Sequence, residues 1–334
     1  MFRVAGTVAL LLSLLACERF AADSVLADYP QRLANVTQSH VHLNPPLLQV
    51  LPPISRNSTA AAMQAQQLDI TDWWQLKDCD FQHLLAQRNS SLGRVQQPSI
   101  RLRYEVEILM ALQHCVATTE SQSSRDILLD LIPIKTQQIK AVWQHMWVSD
   151  PSLVALFGVQ EQPITDNAGL VELEKSLQHL SALFNAYQDG NLPLTLTLLS
   201  DLEQHLQSLH TNTYLPQLWF GLREAQGALQ AATTVLSHSE AISCHLGKPS
   251  ADARQAQTFF RQYYVSQVQP YIAQLNAGHR RIAPLLNRLS QTWPETLQQR
   301  LTLLTPKPSV TALTKSHAIE WQKLFKRCGL ATAG

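Results

Sequence analysis

A 3,4 spacing of apolar residues, sustained over four segments, constrains the fold of this chain more than any other feature. Leu170, Leu173, Leu177, Leu180, Phe184 and Tyr187 form the first stripe, and Leu199, Leu202, Leu206 and Leu209 form the second. The third holds Leu215, Leu218, Leu222, Ala225, Leu229, Ala232 and Leu236. The fourth runs Val265, Val268, Ile272, Leu275, His279, Ile282, Leu286, Leu289 and Trp293. A half-buried strand would alternate apolar and polar residues. This spacing instead lines one face of an α-helix, which needs a partner helix to bury it. Each stripe lasts only a few heptads. The expectation is an all-α multi-helix bundle with antiparallel a/d-seam helices in its C-terminal half, rather than an extended coiled coil. Gly190-Asn191-Leu192-Pro193 and residues 211–214 read as the turns. Pro270, Gly278 and Pro284 interrupt the last stripe, which predicts two helices or one bent helix there. His279 falls on that stripe and reads as a core-edge histidine with a hydrogen-bond partner, ahead of a functional one.

The N-terminal half carries weaker periodicity. Helices are expected over residues 28–39, with Pro30 in the first turn, and over 72–88, 99–117 and 124–148. Ser99 and Ser124 are placed to cap the last two, and Pro133 should kink or divide the last. Trp73, Trp74, Trp143 and Trp147 read as core or rim aromatics. Residues 44–57 contain Pro45-Pro46 and Pro52-Pro53, which favour extended backbone. They also carry Leu47, Leu48, Val50, Leu51 and Ile54, so they read as a strap lying on a core. The chain then divides into a leader (1–16), an anchor, tether and strap (17–57), a helical region (58–165) and a helical bundle (166–334). The last two can also form one continuous domain.

The first 17 residues concern location. Arg3 precedes a 12-residue apolar run, Val4 to Leu15, and Leu14-Leu15-Ala16-Cys17 closes it. A positive start, a short apolar stretch and a small residue before the cut describe a secretory signal peptide. A bilayer span needs roughly 20 apolar residues, so this run is too short for one. A cysteine at the cut resembles a bacterial lipobox, where acyl chains such as palmitate are attached through Cys17. More than one chain gives stable anchoring. Glu18, rather than Asp, follows the cysteine, which favours the outer membrane over the inner, facing the periplasm.

Four cysteines remain, Cys79, Cys115, Cys244 and Cys328. An even number in an exported chain suggests two disulfides, and pairing within each half gives Cys79–Cys115 and Cys244–Cys328. The rival is a metal site using Cys79, His83, His114 and Cys115. Adjacent helical residues point about 100° apart, so His114 and Cys115 do not readily share an ion. His40-x-His42 and the pair His205 and His210 are weak metal spacings that fit solvated surface better. No metal or cofactor is expected.

Charge excludes further classes. There are 26 Lys plus Arg against 25 Asp plus Glu, and Arg3 leaves with the leader. That balance gives no footprint for nucleic acid. Among 11 glycines no two are spaced Gly-x-Gly, so phosphate-cradling loops are missing. Gly-x-Ser-x-Gly, His-Glu-x-x-His and Ser-x-x-Lys are missing too.

The densest polar segment is Arg88, Asn89, Ser90, Ser91, Leu92, Gly93, Arg94 and Val95, followed by Arg101, Arg103, Glu105 and Glu107. Arginines near a helix N-terminus can hold carboxylate or phosphate bidentately, which makes Arg88, Asn89, Ser90, Ser91, Gly93, Arg94, Arg101, Arg103 and Glu105 the candidate ligand site. The competing reading is structural. Arg101 with Glu105 and Arg103 with Glu107 are i, i+4 pairs, and Asn89 and Gly93 suit a turn.

These residues also carry a family resemblance. Cys17 in its lipobox, Tyr29-Pro30-Gln31-Arg32-Leu33, residues 88–95 and residues 101–105 resemble bacterial lipoproteins grouped as domain of unknown function 3080. The resemblance implies a proteobacterial envelope protein and supplies no activity or catalytic residues. The expected function is therefore binding or scaffolding in the envelope. Its partners would be the membrane, through the lipid, and another envelope protein or an anionic envelope ligand. The alternative is an enzyme acting on envelope material with its site near residues 88–107.

Overall fold

In a computed structural model, residues 25–39, 51–56, 59, 76, 79–239, 242–244 and 248–331 are described, Arg94 by its backbone only. Cys17, the tether, residues 44–50, the start of the expected helix at 72, Trp73, Trp74, His40 and His42 lie outside them.

The described residues form an all-α architecture. Helix α1 (Tyr29–Thr37) is followed by α2 (Gln82–Asn89), α3 (Ser91–Arg94), α4 (Pro98–Thr118), α5 (Gln122–Ser149) and α6 (Pro151–Ala155). The C-terminal half continues with α7 (Leu170–Gln188), α8 (Leu192–His210) and α9 (Tyr214–Ser237). Then come α10 (Ala251–Phe259), a π-helical stretch (Phe260–Val268), α11 (Gln269–Ser290), α12 (Glu295–Leu304) and α13 (Val310–Arg327). Short turns make α4 pack on α5 and α7 on α8 as antiparallel pairs. Helix α9 packs against α1 and α13.

The leucine stripes are buried. Every leucine of the first three stripes is 4 % exposed or less, so the seams do form the core. The main cluster includes Leu26, Leu102, Trp147, Leu177, Trp219, Trp293, Trp321 and Cys328, drawing on both halves of the chain. A smaller cluster, containing Phe81, Tyr104, Leu112 and Leu128, lies between α2, α4 and α5. Trp143 and Trp147 are buried, and Leu51 and Ile54 of the strap pack against the main cluster. Arg300 fixes the strap, donating from Nε to the Phe157 carbonyl at 2.8 Å and from Nη1 to the Pro52 carbonyl.

Several local expectations are corrected. The N-cap of α4 is Gln97, and Ser99 lies buried inside the helix. Ser121 caps α5 by accepting from the Ser124 amide, so Ser124 is the capped residue rather than the cap. Pro133 does not divide α5, which continues from Gln122 to Ser149. The proline is exposed, as is Leu129 one turn before it. Water can therefore solvate the carbonyl that loses its i+4 donor. Val265 is 39 % exposed instead of on the seam. The π-helical stretch explains this, because i→i+5 bonding shifts the side-chain phase and turns Tyr264 and Val268 inward.

Helices α9 and α11 approach closely because both present glycine. A Cβ on Gly278 would lie 2.2 Å from the Tyr214 hydroxyl, and one on Gly221 would lie 2.7 Å from Leu275 Cδ2. The two disulfides are Cys79–Cys115, with Cα atoms 5.6 Å apart, and Cys244–Cys328, at 5.1 Å. Both separations lie within the usual Cα–Cα range of a disulfide. The zinc alternative at Cys79 falls with the first of them.

Candidate functional site

The arginine-rich segment is a tight corner between α2 and α4, and the side chains of Arg88 and Ser90 serve its own backbone. Ser90 accepts from the Gly93 amide at 3.0 Å and donates to the Gln87 carbonyl at 2.7 Å. Arg88 Nη1 donates to the Gly93 carbonyl. A Cβ at Gly93 would meet the Gln87 oxygen at 2.2 Å, so only glycine lets this corner close on α2. Asn89 ends α2, and Ser91 opens the four-residue α3, which has too few aligned peptides for a strong N-terminal dipole. The side chain of Arg94 lies outside the described set.

Further along, Arg103 pairs with Glu107 at 2.9 Å on the surface. Arg101 and Lys135 both grip Glu105, at 2.5 and 3.2 Å. Glu105 is fully buried, and its partners are 14 % and 20 % exposed. This is a charge cluster joining α4 to α5. Three of the four candidate arginines are thus engaged by protein groups. Beside the exposed Asn89, Ser90 and Ser91, the corner presents two large apolar side chains to solvent, with Leu92 81 % and Val95 77 % exposed.

An open groove of about 780 Å³ lies elsewhere, between α4, α5 and the turn joining α7 to α8. That size is typical of small-molecule sites. Its lining includes Gln113 from α4, Gln137 and Lys140 from α5, and Gln188 and Asp189 from the end of α7. None of these five side chains has a hydrogen-bond or ion-pair partner among the described residues. Phe184 and Tyr187 supply aromatic faces. The Tyr187 hydroxyl donates to the Thr136 carbonyl at 2.9 Å, which ties α7 to α5. Burial pushes this phenol up to about 12, so it remains a donor. Gly190, at φ 71°, forms part of the rim, where a side chain would strain the turn. Phe184 is held from behind by Trp143, with ring centroids 5.2 Å apart.

A second feature is a buried polar knot. His317 on α13 is fully buried, with Nε2 2.6 Å from the Tyr29 hydroxyl and 3.1 Å from Trp321 Nε1. Its Nδ1 lies 3.2 Å from Thr233 Oγ1, whose own proton goes to the Leu229 carbonyl at 2.6 Å. The indole N–H can only donate, so Nε2 accepts and Nδ1 carries the proton to Thr233. Protonating Nε2 would set two N–H groups against each other. Burial pushes the histidine down to about 3. The knot docks α1 onto α9 and α13 and is sealed from solvent, so it holds the fold together and cannot meet a substrate.

The remaining histidines are placed differently from their sequence patterns. His205 stacks on His179 at 3.9 Å between ring centroids, while His210 is exposed at the end of α8. His179 Nε2 donates to the Leu198 carbonyl at 2.9 Å, and His205 Nδ1 lies 3.2 Å from Ser176 Oγ. Burial lowers both. His279 sits half-buried at the core edge, as expected, but without a hydrogen-bond partner among the described residues. Among the described residues no group of three or more His, Cys, Asp or Glu could hold a metal ion. Nor is any described helix long and apolar enough to cross a membrane.

A family model described as a protein of unknown function (DUF3080) matches residues 26–332. No curated protein and no solved structure matches the chain.

Proposed function

We propose that this chain, which belongs to the family of proteins of unknown function DUF3080, is a lipid-anchored envelope protein whose work is binding. The observation that carries the binding role is the groove between α4, α5 and the α7–α8 turn, where five polar side chains and two aromatic rings line one concavity and the polar groups have no partner among the described residues. Polar groups aimed into one concave, partly aromatic site are the ordinary signature of a ligand site. The anchor rests on Leu14-Leu15-Ala16-Cys17, and the two disulfides support an oxidising compartment such as the periplasm. Outer-membrane attachment follows from Glu18 in place of Asp.

A second reading uses the corner at residues 88–95 as a contact for another envelope protein. Its support is the exposure of Leu92 and Val95, since large apolar side chains held in water favour an interaction surface.

The anchor is tested by labelling cells with radioactive palmitate and fractionating them. Label should travel with the wild-type protein into the membrane fraction and disappear in Cys17→Ser. Equal labelling of both proteins would refute it.

A further inference from the structure

We infer that the groove takes an uncharged oligosaccharide. This rests on the groove being the binding site and adds the chemistry of its ligand. The charges come first. Lys140 and Asp189 contribute one of each sign, so the lining is electrically balanced and offers a polyanion no net attraction. Arg88, Arg101 and Arg103, which would suit phosphate or carboxylate, are bound to protein groups at or near the α2–α4 corner.

An acyl chain is disfavoured by volume. The apolar pocket beneath Phe184 and Tyr187, lined also by Leu102, Val106 and Trp143, holds about 10 Å³. That admits about one water and no hydrocarbon tail. A ligand must therefore lie in the open groove, whose lining mixes the polar side chains with Leu109, Pro133, Leu192 and the two aromatic rings.

The lining suits hydroxyl groups. Gln113, Gln137 and Gln188 come from three different helices, and each amide offers a donor and an acceptor side by side. Adjacent hydroxyls on a pyranose present the matching pair. The flat C–H face of such a ring packs on an aromatic side chain, and Phe184 and Tyr187 supply two. Tyr187 is fixed by its bond to Thr136, and Phe184 is backed by Trp143, so the platform is pre-formed.

The experiment is isothermal titration of the mature protein with four probes: chitotetraose, maltotetraose, inositol hexakisphosphate and laurate. Quenching of Trp143 behind the platform gives a second readout. One or both neutral saccharides should bind saturably, the pair showing whether acetamido groups are required. Binding should weaken about tenfold or more in Gln137→Ala/Gln188→Ala, from the loss of two hydrogen-bonding amides. It should be unchanged in Leu92→Ala, at the α2–α4 corner. Saturable binding of the phosphate or laurate that the double variant weakens, with both saccharides silent, overturns the ligand class and leaves the groove as a site. Saccharide binding that ignores the double variant, or no binding by any probe at millimolar concentration, overturns the groove itself.

Discussion

Replacing His317 by Gln should flatten the acid sensitivity of the fold, and the size of the effect follows from burial. In the unfolded chain a histidine titrates near 6.5, whereas in the native state burial holds His317 at about 3. Its ring already accepts from Trp321 and donates to Thr233, so a second ring proton would face the Trp321 N–H, and burial opposes its charge. The native state therefore resists a proton that the unfolded state takes. Stability from this residue is complete above pH 6.5 and is lost as pH falls toward 3. The interval from 6.5 to about 3, at about 1.4 kcal/mol per pH unit, amounts to about 5 kcal/mol. Between pH 7.5 and 4.5 only the two pH units below 6.5 contribute, or about 3 kcal/mol. Glutamine keeps a polar group beside Tyr29 and Thr233 but cannot be protonated. Carboxylate titration is shared by both proteins and cancels in the comparison. Urea unfolding at the two pH values should show the wild type losing about 3 kcal/mol more than His317→Gln. Parallel pH dependences would refute the buried neutral histidine.

Other consequences follow from the packing. Glu105→Ala should leave Arg101 and Lys135 facing each other at low exposure and cost about 3–5 kcal/mol in urea unfolding, whereas Glu107→Ala, on the surface, should cost under about 1. Gly278→Ala should cost about 1–3 kcal/mol by pressing a methyl group against the Tyr214 hydroxyl, and Tyr214→Phe in the same chain should recover part of it. Reducing the disulfides should lower the melting temperature, with chain-entropy losses of about 4 kcal/mol for Cys79–Cys115 and about 5 kcal/mol for Cys244–Cys328, whose sequence separations are 36 and 84. An unchanged melting temperature under full reduction would show that the bridges do not constrain the unfolded chain.

The helical class and the core were legible because leucine spacing records which face of a helix is buried. Leu170 to Leu180 and Leu215 to Leu236 needed no further information. Val265 was misplaced because the π-helical stretch breaks the 3.6 period that the pattern assumes. Ser99 lies inside α4 because Pro98 occupies the first helical position before it, and Ser124 lies inside α5 because Ser121 accepts from its amide. The knot at His317 leaves only a partial trace in the sequence. Val310, Leu313, His317, Trp321 and Leu324 keep the 3,4 spacing, so the histidine lies on a seam. Its partner Tyr29 is 288 residues away and no local pattern connects them. The groove left no trace at all. Glutamines at 113, 137 and 188 look like solvated helix faces until three helices bring them together. The arginine segment shows the opposite case: a tight corner needs a dense set of local donors and a glycine, and in sequence that density resembles a ligand site.

Amide hydrogen exchange on the mature protein, with and without chitotetraose and maltotetraose, tests the binding role most directly. The account predicts slowed exchange in the α7–α8 turn, residues 187–192, and in α5 near residues 133–140, where the groove lies. Slowed exchange confined to residues 88–95, or no change anywhere with either saccharide in excess, would contradict it.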